Sequence, residues 1–80
     1  MSDYEHIVIS AMRYALGRQT YIVRLTVDYV LKDIKENKLS KKCLCLIKQD
    51  IDSAKSLGWY CDKQDWRRLL QKIEEVLGDG

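Results

Sequence analysis

Arg13, Tyr14, Arg18, Thr20, Tyr21 and Arg24 lie within twelve residues, on either side of Gly17. A guanidinium is a planar fork that donates two parallel hydrogen bonds to a phosphate, where a lysine offers a single point charge. A helix that restarts at Thr20 adds unpaired backbone amides and the positive end of its dipole. Tyr14 and Tyr21 supply rings that stack on a base and hydroxyls that bond phosphate oxygens. The combination predicts an anion-binding notch at the turn, formed by Arg13, Arg18, Thr20 and the first amides of the second helix and flanked by a tyrosine. It suits a nucleotide or phosphodiester better than a simple carboxylate. A structural reading competes with it: the arginines pair with Asp3, Glu5 or Asp28, and the tyrosines pack. Arg24 and Asp28 stand at i,i+4, where such a pair forms readily on a helix surface.

A second group of charges is Lys32, Lys35, Lys38, Lys41, Lys42 and Lys48, interrupted by Asp33 and Glu36. Such a patch steers a protein toward nucleic acid or an acidic partner. The order helix, short turn, helix across residues 20–57 also suggests a helix-turn-helix. Lys35, Lys38, Lys41, Lys42 and Lys48 are then the candidate phosphate contacts. However, the early part of the would-be recognition helix reads Cys43-Leu44-Cys45-Leu46-Ile47, too apolar to reach base edges with polar side chains. A solvated lysine face is the better account.

Other chemistry is sparse. Asp50 and Asp52, two apart on a helix, point to different faces and make a poor catalytic or metal pair. His6 is the one histidine, with no cysteine at ligand spacing, so no metal site is expected. No nucleophile has a base partner in sequence and no glycine-rich phosphate loop is present. The expectation is a non-enzymatic protein without a cofactor.

Four elements must position these residues. Proline is absent, and glycine occurs at 17, 58, 78 and 80 alone, so long helical tracts end at nameable places. Ser2 and Glu5 form a capping box. From there Tyr4, Ile7, Val8, Ala11, Met12, Ala15 and Leu16 recur at helical spacing until Gly17 ends the tract in the left-handed conformation. Thr20 caps a second helix over about 20–36, with Val23, Val27, Val30, Leu31 and Ile34 inward. Its β-branched opening, Thr20 to Val23, would suit a strand, but the stripe reaching Ile34 decides for helix. Asn37 stops it and Ser40 caps a third, whose inner face is Leu44, Ile47, Ile51 and Ala54 until Gly58. Asp62 caps the fourth, with Asp65 in its first turn and Trp66, Leu69, Leu70, Ile73 and Leu77 inward until Gly78. Trp59 and Tyr60 plug one end. Short connections imply antiparallel neighbours, so the expected fold is all-α, a compact four-helix single domain over residues 1–80.

Composition agrees. The chain is 46% hydrophobic and 32% charged, as a folded domain requires. Fourteen Lys and Arg oppose 12 Asp and Glu for a net charge of +2, a smaller excess than duplex-DNA binders carry. Eighty residues give a core close to the minimum for independent stability, so a homo-oligomer is the default. No run is long and apolar enough for a membrane span, and the N-terminus lacks the basic, apolar and small-residue order of a signal peptide, so a cytosolic location is the expectation. Its three cysteines are then free, mostly packed thiols.

The stretch Arg13-Tyr14-Ala15-Leu16-Gly17-Arg18-Gln19-Thr20-Tyr21, with its spacing to Gly58, Asp62 and Trp66, resembles a group of small uncharacterised proteins encoded by tailed bacteriophages. The resemblance spans nearly the whole chain. It implies an accessory protein made in the cytoplasm of an infected bacterium, of the kind that occupies or sequesters a host factor such as a component of antiviral defence. No functional residue of that group transfers to a position here. The leading expectation is therefore a phage-type binding protein that inhibits or sequesters a host protein, or acts through a phosphate-bearing ligand at the Arg13/Arg18 turn. The alternatives are a small nucleic-acid-binding regulator using the lysine-rich 32–48 turn and a virion structural or assembly protein.

Overall fold

A computed structural model describes residues 1–18, 20–56 and 64–78, apart from the side chain of Thr20. These form four helices: α1 (Asp3–Ala15), α2 (Thr20–Lys35), α3 (Lys41–Ser56) and α4 (Gln64–Gly78). The fold is all-α, as the periodicity requires.

The punctuation works as the residue types dictate. Ser2 caps α1: its hydroxyl accepts from the Glu5 amide while the Glu5 carboxylate accepts from the Ser2 amide. Gly17 has φ +79°, the left-handed turn that ends α1. Asn37, at φ 59°, ends α2 in a Schellman arrangement, with Lys38 N–H donating to the Asp33 carbonyl and Asn37 N–H to Ile34. Ser40 Oγ then accepts from the Cys43 amide and caps α3. The caps expected from Thr20 and Asp62, the stop at Gly58 and the plug of Trp59 and Tyr60 lie outside the described residues.

The core joins Val23, Val27 and Val30 of α2, Leu44, Ile47, Ile51 and Ala54 of α3, and Trp66, Leu69 and Ile73 of α4. These are the inward stripes the spacing predicts, with Leu31, Ile34, Leu70 and Leu77 packed at its edge. The β-branched opening of α2 is helical because burying a 3.6-residue valine stripe outweighs the small rotamer cost of branching.

Two expectations are corrected. The inner face of α1 is not Tyr4, Ile7 and Ala11, all of which are exposed; Val8, Ile9, Met12 and Ala15 are buried, with Glu5 beside them. Apolar residues occupy so much of the circumference of α1 that spacing alone does not fix its orientation. Its neighbours do, because Glu5 is held by Ser40 at the start of α3, and that rotates Ile7 outward.

The second correction concerns which helices touch. α1 packs on α2 and α3, and α4 packs on α2 and α3. Among the described residues α2 and α3 do not pack on each other, nor do α1 and α4, so the helices form a four-cornered ring with α2 and α3 on a diagonal. The short link through Asn37 and Leu39 turns the chain across the bundle, and Leu39 joins the core there.

Candidate functional site

The Arg and Tyr residues around Gly17 are divided among three neighbours. Arg13 reaches across to α3, where its Nε donates to Asp50 Oδ2 at 2.8 Å. Arg24 lies toward α4, with Nε 3.7 Å from Asp65 Oδ2. Arg18 folds back over α1: its Nε donates to the Tyr14 carbonyl at 3.2 Å, and its guanidinium carbon sits 4.6 Å from the Tyr14 ring centre. That distance is within the range of a cation–π contact. Among the described residues, Arg18 has no carboxylate partner, whereas Arg13 and Arg24 each have one.

The structural pairing is therefore present, with partners that spacing along one helix does not reveal. Arg24 pairs with Asp65 and not with Asp28. Asp28 instead accepts from Arg68 Nη2 at 3.0 Å, and the same nitrogen donates to Asp65 at 2.8 Å. Asp28, Asp65, Arg24 and Arg68 thus clamp α2 to α4. Asp65 and the neighbouring Trp66 are both buried. The two aspartates together raise the Arg68 pKa, Asp65 more strongly.

Tyr14 and Tyr21 are exposed, at 60% and 68%, and belong to a wider surface. Met1, Tyr4, Ile7, Tyr14, Tyr21, Leu25 and Tyr29 are the large hydrophobic side chains exposed among the described residues, and all lie on or just before α1 and α2. One open depression of about 510 Å³ is lined by Tyr21, Arg24, Leu25 and Asp28. A smaller groove of about 200 Å³ runs between the helices past Ile7, Ala11, Thr26 and Tyr29. Tyr4 closes one end of that groove, its hydroxyl donating to Asp33 Oδ2 at 2.5 Å, and that hydrogen bond, followed by desolvation and then the Asp33 charge, pushes the phenol's pKa up. Leu25 and Tyr29 escape the sequence reading because they fall outside the valine stripe. Their i,i+4 register with Tyr21 is the signal that marks them.

The lysine group is partly neutralised. Lys38 pairs with Glu36 at 3.0 Å and Lys48 with Asp52 at 3.7 Å. Lys35, Lys41 and Lys42 are exposed. The amide end of α3, where a phosphate would dock, already holds an anion: Glu5 Oε2 accepts from the Ser40 amide at 2.9 Å and the Ser40 hydroxyl at 2.6 Å. These bonds, with those from Ser2, hold the Glu5 pKa down at about 2. A helix-turn-helix also needs its two helices to pack as a unit, and α2 and α3 do not.

Cys43 is buried and Cys45 exposed, as positions about 200° apart on a helix should be. Burial, and next the Glu5 charge, push the Cys43 thiol up to about 11. Cys43 is thus inert at neutral pH. In a Cys61→Ser chain, maleimide is expected to label Cys45 readily and Cys43 only after unfolding, as read by intact mass. Equal labelling rates would show that α3 opens. Cys61 itself lies outside the described residues.

Among the described residues no group of three or more His, Cys, Asp and Glu gathers to hold a metal. No described helix is long and apolar enough to cross a membrane. No family model, curated protein or solved structure matches the chain.

Proposed function

We infer that this chain is a non-enzymatic accessory binding protein of bacteriophage type that occupies a host factor through the Tyr14–Arg18 end of α1. The observation that carries this reading is the guanidinium of Arg18, stacked on an exposed tyrosine with no carboxylate partner among the described residues. A flat cation backed by a ring is pre-organised for a planar or phosphate-bearing group, and less side-chain freedom is lost on contact. Arg13 and Arg24, already paired, contribute charge around that contact. The phage setting and the defence-factor target come from the resemblance of the Arg13–Tyr21 stretch. The working unit is a homo-oligomer, favoured by a marginal core and by an apolar face on α1 and α2.

The test is mass spectrometry of what the tagged protein retains from phage-infected bacteria, repeated with Arg18→Ala, Tyr14→Ala and Arg13→Ala. Losing a charged hydrogen-bonded contact costs about 1.5–3 kcal/mol. Arg18→Ala should therefore weaken retention of the specific target about 10- to 150-fold. Arg13→Ala should weaken it less, because Asp50 already engages that side chain. Melting temperatures should barely move, since Tyr14 and Arg18 are exposed. Identical catches from wild type and Arg18→Ala would overturn the reading. A salt-dependent shift of labelled DNA abolished by Lys41→Ala with Lys42→Ala would favour the nucleic-acid regulator, and co-purification with particles the virion role.

A further inference from the structure

The outer face of α2 carries a row that reads the same in both directions. Tyr21, Leu25 and Tyr29 are spaced i, i+4, i+8, and their exposures are 68%, 58% and 63%. Such a row is one of the ridges by which helices interlock. Beside it runs a charged row, Arg24 and Asp28, again at i,i+4. On the other side lie Thr26 and the groove shared with Ile7 and Ala11 of α1.

We propose that this ridge is the contact with a second copy of the chain, related by a two-fold axis through Leu25, with the two α2 helices running in opposite senses. In that arrangement Leu25 meets Leu25 of the second copy. Tyr21 meets Tyr29 of the second copy, and the pairing is repeated by symmetry, as an isologous contact requires. Tyr29 borders the α1–α2 groove, which provides a recess for the incoming Tyr21 ring.

Charge fits the same operation. Arg24 lies one residue before the axis and Asp28 three residues after it. At 1.5 Å per residue the Asp28 of the second copy falls about 3 Å along the axis from Arg24. Two Arg24–Asp28 pairs therefore form across the contact, both along the same side of the apolar row. Together with Arg68 and Asp65, each copy brings two guanidiniums and two carboxylates to this edge, so a self-contact meets no net repulsion.

The area is sufficient. With about 150–250 Å² per large side chain, the exposed parts of Tyr4, Ile7, Tyr21, Leu25 and Tyr29 come to roughly 600 Å². That leaves the Tyr14–Arg18 end of α1 uncovered and matches the lower end of what a stable interface takes from each partner. A standard interface takes about 800 Å² from each partner. Tyrosine-rich surfaces of this kind are over-represented in interfaces, whereas isolated monomers rarely leave such a face open.

This inference rests on the self-association named above, and the experiment separates the two. The full chain is weighed by light scattering and sedimentation across a concentration range, beside Leu25→Glu. Wild type should give at least a two-chain mass and Leu25→Glu a single-chain mass with unchanged helical circular dichroism, because Leu25 is exposed in the single chain. In a Cys45→Ser, Cys61→Ser background, air-oxidised Leu25→Cys should become a covalent dimer and Ile7→Cys should not, because only position 25 lies on the axis. A larger mass that keeps the Leu25→Cys cross-link supports the two-fold as one contact of a bigger assembly. A wild-type mass of one chain at all concentrations overturns both self-association and the two-fold. A Leu25→Glu protein that stays associated, or an Ile7→Cys cross-link in place of the Leu25→Cys one, overturns the two-fold alone. A single-chain wild type that binds a phage-host protein through Leu25 would assign the ridge to that protein.

Discussion

Trp66→Ala is expected to leave the domain largely unfolded at room temperature. The indole is 1% exposed and is the largest fully buried side chain among the described residues. It stands in the first turn of α4, and α4 packs on both α2 and α3. Removing a buried tryptophan costs about 3–5 kcal/mol through lost transfer energy and the cavity left behind. An 80-residue domain has roughly 4–12 kcal/mol in all, at the usual stability per residue. The loss is therefore comparable with the whole. Where a folded fraction survives, its melting midpoint should fall by roughly 12–40 °C at the ordinary conversion for a domain of this size. Thermal melts followed by circular dichroism measure this. A shift of a few degrees would show that α4 is not locked by its tryptophan. Trp66→Phe, which keeps most of the apolar volume, should recover much of the loss.

Trp66 was legible in sequence because it opens a stripe with Leu69, Ile73 and Leu77, and a helix long enough to complete three turns leaves one consistent face. The same logic succeeded for α2 and α3. It failed for α1, where Tyr4, Ile7, Val8, Ile9, Ala11 and Met12 leave few polar positions to mark an outside. Only tertiary partners decide which of those residues face the core. Two of those partners are hydrogen bonds between residues far apart in sequence, Glu5 with Ser40 and Tyr4 with Asp33.

The candidate site was legible in type more than in arrangement. Arginines beside a glycine break can be read from spacing, and so can the i,i+4 reach of Tyr14 to Arg18. Which carboxylate each arginine takes cannot be read, because Asp50 and Asp65 are 37 and 41 positions away from Arg13 and Arg24. Sequence favoured the nearest partner, Asp28 for Arg24. The fold instead passes Asp28 to Arg68, because α4 rather than the next turn of α2 fills the space alongside. The exposed ridge of Tyr21, Leu25 and Tyr29 was hidden for a related reason: an inward stripe accounts for a helix so well that a second apolar row outside it attracts no notice.

Acid should unfold this protein through Glu5 more than through any other single carboxylate among the described residues. Its two oxygens accept from Ser2 N–H and Oγ on one side and from Ser40 N–H and Oγ on the other. The charge therefore sits at the positive ends of both α1 and α3. Its pKa falls from the usual 4.5 to about 2, first because of the Ser40 hydroxyl and amide and then because of the Ser2 amide. A depressed folded-state pKa means that the unfolded chain takes up the proton first as pH falls. The stabilisation is thus complete above about 4.5 and is lost as pH drops toward 2. Glu5→Gln preserves the shape but removes the charge, and its amide turns a donor toward a serine donor on one of the two sides. That variant should melt lower than wild type at pH 7 by an amount that shrinks steadily below pH 4.5 and nearly vanishes near pH 2. The other carboxylates are common to both chains and cancel in the difference. Paired thermal melts from pH 7 to pH 2 provide the check: two curves that stay parallel over that range would mean that Glu5 does not join the starts of α1 and α3.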